Sequence, residues 1–368
     1  MKAAVFHGRH DVRIEEIEKP TAGAGEVVVR VETAGICGSD AAEYEHGPIL
    51  IERRDAGFDH GVVIGHEFGG TVVSVGEGVD SLEPGSVVVC GAGISCGTCT
   101  QCLAGRTNLC RTYHTVGLHR DGGLAEYVSV PASILYDASA SGLGFDTLAM
   151  AQPMAIAVHA LRRSGLKSGQ DAAIIGAGGI GAFLVFAAAA LGARVFVSDL
   201  DDERLSLAKD LGAYVTERAG SDSLGNLLDA HDMEPTVFFE VSGSRQGLDS
   251  ILTAAKPGAT IVPVGLQKLP LDRPLIEWSV KEFTVVGSAA LVFATDIPEA
   301  VRLLASRDGD WSDVAAEVLP LEWLVDEGLI PIVSGSARSV KTLISPALTV
   351  KRAADHSRIQ LRPEKFRI

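Results

Sequence analysis

A glycine-rich segment at residues 171–181, DAAIIGAGGIG, limits most strongly what this chain can fold into. Its apolar run AAII is typical of a buried parallel strand, and the following AFLVFAAAAL predicts a helix. Between them, Gly176, Gly178 and Gly181 have G-x-G-x-x-G spacing. This spacing permits a tight turn, close approach of the backbone to a pyrophosphate, and close packing of helix on strand. The helix N-terminus then offers N–H groups to phosphate.

An acidic residue follows at the distance that such a nucleotide site requires. The predicted strand Ala193–Ser198 leads into Asp199, twenty-one residues after Gly178. An acid at this place hydrogen-bonds a ribose 2′-hydroxyl. The segment therefore predicts a dinucleotide site that includes Gly179 and Ile180, with NAD preferred over NADP. The alternative for Asp199 is the N-cap of the next helix.

Composition excludes several other classes. The 368 residues are 46% hydrophobic and carry a formal net charge of −15, which disfavours nucleic acid or an anionic membrane as partner. The longest apolar run is too short to span a bilayer. Residues 1–20 lack the apolar core of a secretory signal. We therefore expect a soluble cytoplasmic protein that acts on a small molecule.

Four cysteines form a compact motif, Cys96-x2-Cys99-x2-Cys102-x7-Cys110. Four thiolates at this spacing can surround one tetrahedral Zn²⁺ in a closed structural site. In an intracellular chain, such a cluster indicates metal rather than disulfides. Cys90 follows an apolar run and is expected to be a small buried residue instead.

A second constellation combines Cys37, Ser39 and Asp40 with the pair His66 and Glu67. A thiolate, an imidazole and a carboxylate suit an open catalytic zinc. Asp40 could fix the tautomer of the histidine, and Ser39 could exchange a proton with a zinc-bound oxygen. Taken alone, the cysteine could be a buried core residue and the His-Glu pair a satisfied polar pair.

The rest of the chain predicts two kinds of architecture. Short alternating runs separated by Gly and Pro indicate an irregular β-rich domain of barrel type over residues 1–152. From Asp171 onward, strands alternate with helices, which indicates an α/β fold with a doubly wound parallel sheet. One of these helices is predicted over Asp296–Ala305. The basic tail Lys351–Ile368 is expected to be solvated or to contact another subunit.

Several motifs in order carry a family resemblance. They are GEVVVRVETAGICGSD, GHEFGGTVVSVGEGV, CGTCTQCLAGRTNLC, DGGLAEYV, GAGGIGA and SDLDDERLSLAKDLGA. Over nearly its whole length, the chain resembles the zinc-dependent medium-chain alcohol dehydrogenases. The segments EYEHGPI and KTLISP are similar to 2,3-butanediol dehydrogenases, with sorbitol and other polyol dehydrogenases as close relatives.

The resemblance implies a split architecture. A GroES-like catalytic domain would comprise residues 1–153 and 291–368, with a Rossmann NAD-binding domain at 154–290 inserted and the active site in the cleft. It also implies Cys37 and His66 as catalytic zinc ligands, with further residues near them.

The resemblance also implies two further residues near the zinc. Glu67 would either ligate the metal or lie close behind it. Gln152 stands where polyol members carry Glu, and its amide is a tentative ligand, directly or through water. Arg204 matches a family arginine that lies against the adenosine ribose.

The implied function is zinc- and NAD-dependent oxidation of a secondary alcohol, a vicinal diol or polyol, to the ketone, and the reverse reduction. Two zinc ions per chain and a homo-oligomer, dimer or tetramer, are expected. The alternatives are a threonine-type dehydrogenase or other carbonyl reductase, and a non-catalytic zinc- and NAD-binding protein. Gln152 favours the latter, as does Ala42, which stands where relatives keep a proton-relay histidine. His46 or His60 could substitute.

Overall fold

The computed structural model describes residues 1–51, 61–267 and 269–358. His60, one of the two suggested relay substitutes, lies outside these residues. The chain divides into two compact units: Met1–Gln152 together with Leu291–Ile368, and the continuous segment Pro153–Ala290. None of the helices in the described ranges has the length and apolar character needed to cross a bilayer.

The first part of the chain is built mainly from short strands. They are β1 Lys2–Gly8, β2 Asp11–Glu16, β3 Glu26–Gly35, β4 Val62–Val63, β5 Glu67–Val75, β6 Val87–Cys90, β7 Gly93–Ile94, β8 His114–Thr115, β9 Tyr127–Pro131 and β10 Leu135–Asp137. The helices between them are α1 Gly38–His46, α2 Thr100–Leu103 and α3 Phe145–Leu148.

Helix α4, Ala151–Ser164, leads into a regular alternation of strands and helices. The strands are β11 Asp171–Ile175, β12 Arg194–Asp199, β13 Val215–Arg218, β14 Val237–Glu240, β15 Thr260–Pro263 and β16 Thr284–Val285. The helices are α5 Gly179–Ala190, α6 Asp202–Asp210, α7 Leu224–Ala230, α8 Arg245–Ala254 and α9 Ile276–Val280.

The last part of the chain returns to the first unit. Its elements are α10 Phe293–Ser306, β17 Glu317–Pro320, a π-helical segment Leu324–Leu329, α11 Ile330–Ser334, β18 Leu343–Ser345 and β19 Arg352–Ala353. Helix α10 begins three residues before the predicted start at Asp296. The reason is that Asp296 does not cap the helix from outside; its carboxylate accepts the N–H of Val292, the N-cap residue (2.7 Å).

The main sheet of the first unit has the order β10-β6-β5-β3-β18-β17-β19, with β9 also paired to β3. Gly35 at the end of β3 is opposite Glu67 at the start of β5, and also opposite Leu343 of β18. Apolar side chains from these strands fill one continuous core. The register therefore brings residues near 36, 66 and 341 to the same end of the sheet.

The second unit contains a six-stranded sheet in the order β13-β12-β11-β14-β15-β16, with every pair parallel. This is the doubly wound order, in which the chain reverses direction across the sheet between β11 and β14. Phe196, Phe238 and Ile261 lie in the core that packs on this sheet. The parallel alternation predicted from the sequence is thus present.

The beginning of the basic tail is not merely solvated. Arg352 pairs with the buried carboxylate of Asp146 (2.6 Å), and the buried His356 hydrogen-bonds Thr147 (3.0 Å). A buried carboxylate needs such a cation and donors. The segment up to Arg358 is therefore an integral part of the first unit.

Candidate active site and metal centres

Three potential ligands meet at one end of the main sheet. Cys37 follows β3, and His66 and Glu67 stand at the start of β5, which is paired with β3. Their candidate ligand atoms all lie within 4.8 Å of one another. Both His66 and Glu67 are buried. One sulfur, one nitrogen and one oxygen at this spacing could hold a transition-metal ion.

Helix α1 places two further polar groups beside these ligands. Asp40 is fully buried, and its carboxylate accepts the backbone N–H of Cys37 (2.8 Å). The other Asp40 oxygen lies 3.7 Å from Nδ1 of His66, which is longer than a hydrogen bond. The Oγ of Ser39 is buried and has no hydrogen-bond partner among the described residues. A buried hydroxyl of this kind is available to a substrate or a ligand.

The electrostatics of the cluster favour a cation. Burial alone would disfavour a charged imidazole, yet interactions with the Cys37 sulfur and the Asp40 carboxylate raise the pKa of His66 to about 10. Burial raises the pKa of Asp40. The negative groups around His66 thus stabilise positive charge at this place, and the donor set fits a zinc ion.

Lys341 is a neighbour that the sequence argument did not assign. It is buried, its Nζ forms an ion pair with the Glu67 carboxylate, and it also donates to the carbonyl of Ile36 (2.9 Å). Its position two residues before β18 brings it to the end of the sheet where β3 terminates. The only sequence signal was its place in the segment KTLISP. Gln152 is buried as the second residue of α4.

The second candidate metal centre is formed by the four clustered cysteines. Their sulfur atoms lie within 4.8 Å of one another, and three of the four side chains are buried. The N–H of Cys96 donates to the sulfur of Cys110 (3.2 Å), and the N–H of Cys99 donates to the sulfur of Cys96 (3.3 Å). N–H groups directed at sulfur stabilise thiolates, which are the zinc-binding form.

The cysteine thiols differ in their acidity. Donation from the Thr98 backbone and hydroxyl and from the Cys99 N–H lowers the pKa of Cys96 to about 5. Burial raises the pKa of Cys102 to about 11. Cys90 lies apart on β6, where burial raises its pKa to about 12. Cys90 is therefore a core thiol, as the sequence suggested.

The glycine-rich turn of the second unit has the geometry that its spacing predicts. Gly176 has φ +103°, and a Cβ there would lie 2.7 Å from the N of Ser242. A Cβ on Gly181 would lie 2.1 Å from the carbonyl oxygen of Gly176. Only glycine fits either position. Helix α5 begins at Gly179, with Ile180 in its first turn, so its free N–H groups are at this turn.

Asp199 lies beside the turn at the end of β12. Its carboxylate accepts the N–H of Ala177 (2.6 Å) and of Asp201 (3.0 Å). The N-cap of α6 is Asp201, whose side chain accepts from Glu203 and Arg204. The alternative interpretation of Asp199 as that N-cap is therefore wrong.

Two arginines lie in this region, one next to the glycine-rich turn and one beside Asp199. A Cβ on Gly178 would lie 3.7 Å from Nη1 of Arg204, so this guanidinium is next to the glycine-rich turn. Arg218 is the register partner of Asp199 on β13, and it pairs with Asp202 (2.8 Å). Arg218 was not assigned from the sequence, because a neighbour across a parallel sheet is distant along the chain.

Comparison with known proteins agrees with these features. Residues 23–140 match the family model described as alcohol dehydrogenase GroES-like domain, and residues 179–306 match that of zinc-binding dehydrogenase. A (R,R)-butanediol dehydrogenase of Neisseria gonorrhoeae is 30% identical over 95% of this chain and 100% of its own length. A sorbitol dehydrogenase of Bacillus subtilis is 30% identical over 89% of this chain and 92% of its own.

Solved structures agree as well. The crystal structure of 2R,3R-butanediol dehydrogenase from Bacillus subtilis has a TM-score of 0.85 and 30% identity, covering 94% of this chain and 99% of that one. Two others, with TM-scores of 0.84 and 0.82, are an alcohol dehydrogenase from Escherichia coli CFT073 complexed with NADH and a zinc-binding dehydrogenase from Sinorhizobium meliloti bound to NADP.

The chain therefore belongs to the zinc-dependent alcohol dehydrogenase family. It is an oxidoreductase acting on CH–OH groups, with a GroES-like part and a Rossmann part. The family and fold class predicted from the sequence are confirmed.

Proposed function

We propose that the protein oxidises a vicinal diol or polyol to the corresponding ketone with zinc and NAD, and catalyses the reverse reduction. One observation carries the proposal: the ligand atoms of Cys37, His66 and Glu67 lie within 4.8 Å of one another. Beside them on α1, the buried Oγ of Ser39 has no hydrogen-bond partner in the part of the chain that the structure describes. The butanediol and sorbitol dehydrogenase relatives support the substrate class.

Two metal-binding sets are part of the proposal. Cys37 and His66 would hold the catalytic zinc, with Glu67 and tentatively Gln152 as the oxygen ligands. Cys96, Cys99, Cys102 and Cys110 would hold the structural zinc. When bound, zinc supplies Lewis acidity to the alcohol and NAD supplies the hydride acceptor.

The chain's own residues prepare and complete this chemistry. Ser39 relays the proton of the substrate hydroxyl: its Oγ, which has no partner among the described residues, accepts that proton and passes its own on towards solvent. The Asp40 carboxylate accepts a hydrogen bond from the N–H of Cys37 and thereby fixes the start of α1. Lys341 neutralises the Glu67 carboxylate and ties it to the carbonyl of Ile36. These fixed contacts preorganise the site before substrate arrives.

The second unit is proposed to bind NAD. Gly176, Gly178, Gly179, Ile180 and Gly181 would surround the pyrophosphate, which needs the strand–turn–helix geometry found here. Asp199 and Arg204 would contact the adenosine ribose. Asp199 can accept ribose hydroxyls in addition to its two backbone donors, since each carboxylate oxygen has two acceptor sites.

Asp199→Ser is expected to weaken the binding of NAD and to reduce the preference for NAD over NADP. The substitution removes a charged acceptor, worth about 1.5–3 kcal/mol, and the repulsion of a 2′-phosphate. Arg204 and Arg218 then remain beside the phosphate. Steady-state kinetics with both cofactors test this, and Asp210→Ser is the control, since it removes a carboxylate from the far end of α6. Equal efficiency with both cofactors in the unmutated protein would contradict the assignment.

Ala42→His is expected to accelerate oxidation near neutral pH and to leave the alkaline rate nearly unchanged. Ala42 lies three residues after Ser39 on α1 and therefore on the same helix face. A histidine with a pKa of about 6.5 can accept a proton once the pH exceeds this value. General-base assistance is worth roughly 10²–10⁴-fold, which gives the upper range of the effect. The pH–rate profile is the measurement.

The same profile tells whether another relay exists. Without a histidine at 42, activity should rise towards an alkaline optimum, because water is a poor proton acceptor. Ala42→Asn, which is polar but not basic here, should leave the profile as it is. If Ala42→His also leaves it unchanged, then another group already performs the relay, and His46 is the next residue to replace.

A substrate panel tests the proposal as a whole. NADH formation is followed with vicinal diols, polyols, threonine and simple secondary alcohols in the zinc-loaded protein. Preference for diols or polyols is expected. Preference for threonine would establish the threonine-type alternative, and binding of NADH without turnover of any substrate would establish a non-catalytic protein.

A homo-oligomer and a cytoplasmic location complete the proposal. The exposed apolar side chains Leu275, Ile276 and Val280 on or beside α9, and Val285 on the edge strand β16, support the first. The net charge of −15 disfavours attachment to an anionic membrane, which is compatible with the second.

A further inference from the structure

A fully buried carboxylate in the second unit takes no part in the mechanism above. Glu240 is the last residue of β14 and has no exposed surface. Its register partners are Ile175 at the end of β11 and Pro263 at the end of β15. The side chain therefore lies at the carboxyl edge of the sheet, where doubly wound folds bind dinucleotides.

The Glu240 carboxylate joins two loops. Ser242 Oγ donates to Oε1, and the N–H of Gly243 donates to Oε2 (3.2 Å). The side-chain amide of Gln267, on the loop after β15, also donates to Oε2. These three donors are uncharged, and together they engage both oxygens of a group that is costly to bury. The loop after β14 is thereby tied to the loop after β15.

Close packing extends this connection to the glycine-rich turn. A Cβ on Gly265 would lie 2.3 Å from the N of Gly243, so the two loops touch through their backbones. On the other side, the N–H of Ser242 donates to the carbonyl of Ile175 (3.0 Å), directly before Gly176. Residues 241–244 therefore lie between the turn proposed for the pyrophosphate and the loop that carries Gln267.

The strand order indicates which half of the cofactor this arrangement serves. A doubly wound sheet binds one mononucleotide on each of its halves. Asp199, proposed for the adenosine ribose, ends β12 in the first half, whereas β14 and β15 belong to the second half. We propose that Glu240 is a positioning residue for the nicotinamide half of NAD, acting through Ser242, Gly243 and Gln267. The inference rests on the proposed NAD-dependent function.

The contacts predict a graded series of variants. Glu240→Ala leaves three donors without an acceptor and releases both loops. Glu240→Gln has one acceptor oxygen instead of two, so it should retain part of the arrangement. Gln267→Ala breaks the connection from the other loop and leaves the bonds to Ser242 and Gly243 in place. Each lost bond to a charged group is worth about 1.5–3 kcal/mol of loop order that NADH binding would have to restore, which corresponds to roughly 10- to 100-fold in affinity.

Binding of NADH and of ADP-ribose, which lacks nicotinamide, provides the test. We expect Glu240→Ala and Gln267→Ala to bind NADH at least roughly tenfold more weakly, with Glu240→Gln in between. The fluorescence of bound NADH should shift towards that of the free cofactor. ADP-ribose should bind each variant within about twofold of the unmutated protein, because the adenosine half is intact.

A matched control lies at the opposite edge of the same sheet. Asp171, the first residue of β11, is also a buried carboxylate, and it is held by Arg194 (2.7 Å) and the N–H of Glu234 (2.8 Å). Asp171→Ala should lower the thermal midpoint of unfolding without weakening the binding of NADH more than that of ADP-ribose.

Two results would overturn the proposal. If the Glu240 and Gln267 variants bind both NADH and ADP-ribose more weakly, then Glu240 only stabilises the unit. If the binding of neither ligand is weakened, Glu240 has no positioning role. Failure of NADH to bind the unmutated protein would instead refute the proposed function. If Glu240→Ala does not fold, the Glu240→Gln and Gln267→Ala variants still test whether Glu240 has a positioning role.

Discussion

Replacing Cys37 by Ser is expected to reduce turnover by roughly a thousandfold or more. Lewis-acid assistance lowers the activation free energy by several kcal/mol, and each 1.36 kcal/mol changes the rate by a factor of ten. Serine is a poor zinc ligand, while the neighbouring His66, Glu67 and Asp40 remain. The measurement is NADH formation together with zinc content, which should fall from two ions per chain to one.

The Cys37→Ser protein should still fold. Its loss of turnover can therefore be distinguished from a general loss of structure. Cys37 stands at the start of α1, and its N–H bond to Asp40 does not involve the sulfur. The thermal midpoint should therefore change little, and NADH should still bind. A Cys37→Ser protein that keeps two zinc ions and full activity would remove Cys37 from the catalytic site.

The double substitution Cys99→Ser/Cys102→Ser is expected to release the other zinc ion and most of the stability of the first unit. Structural zinc sites contribute on the order of 10 kcal/mol of binding energy. This is comparable to the whole stability of a typical domain, about 5–15 kcal/mol. Thermal unfolding followed with zinc analysis should show a large decrease in midpoint or no cooperative transition.

Cys90 supplies the matched control for this prediction. It is buried like Cys99 and Cys102, yet it lies outside their group. Cys90→Ala should cost about 1 kcal/mol, as an ordinary core substitution does, and leave the zinc content unchanged. If the double variant keeps its zinc and its midpoint, then the four thiols are not a structural metal site.

The features predicted well from the sequence are those encoded within short segments. The glycine spacing, the strand before it and the helix after it are adjacent in the chain, and backbone sterics require glycine at 176 and 181. The four cysteines likewise lie within fifteen residues, so their spacing alone brings the sulfur atoms together. The proposed metal and cofactor roles of these residues stay predictions.

Features that depend on strand register could not be predicted in this way. Lys341 reaches Glu67 because β18 pairs with β3, and Arg218 lies beside Asp199 because β13 pairs with β12. Glu240 could not be singled out from the sequence, since its donors come from two loops that meet in three dimensions. Register is a property of the packed sheet rather than of either strand alone.

The most direct test of the central claim follows the hydride itself. Zinc-loaded protein is incubated with NAD and 2,3-butanediol or sorbitol deuterated at the carbinol carbons, and the reduced cofactor is analysed by mass spectrometry and NMR. The account predicts NADH that carries one deuterium at C4 of the nicotinamide, together with the ketone product. Reduced cofactor without deuterium, or no reduced cofactor from any diol or polyol, would contradict it.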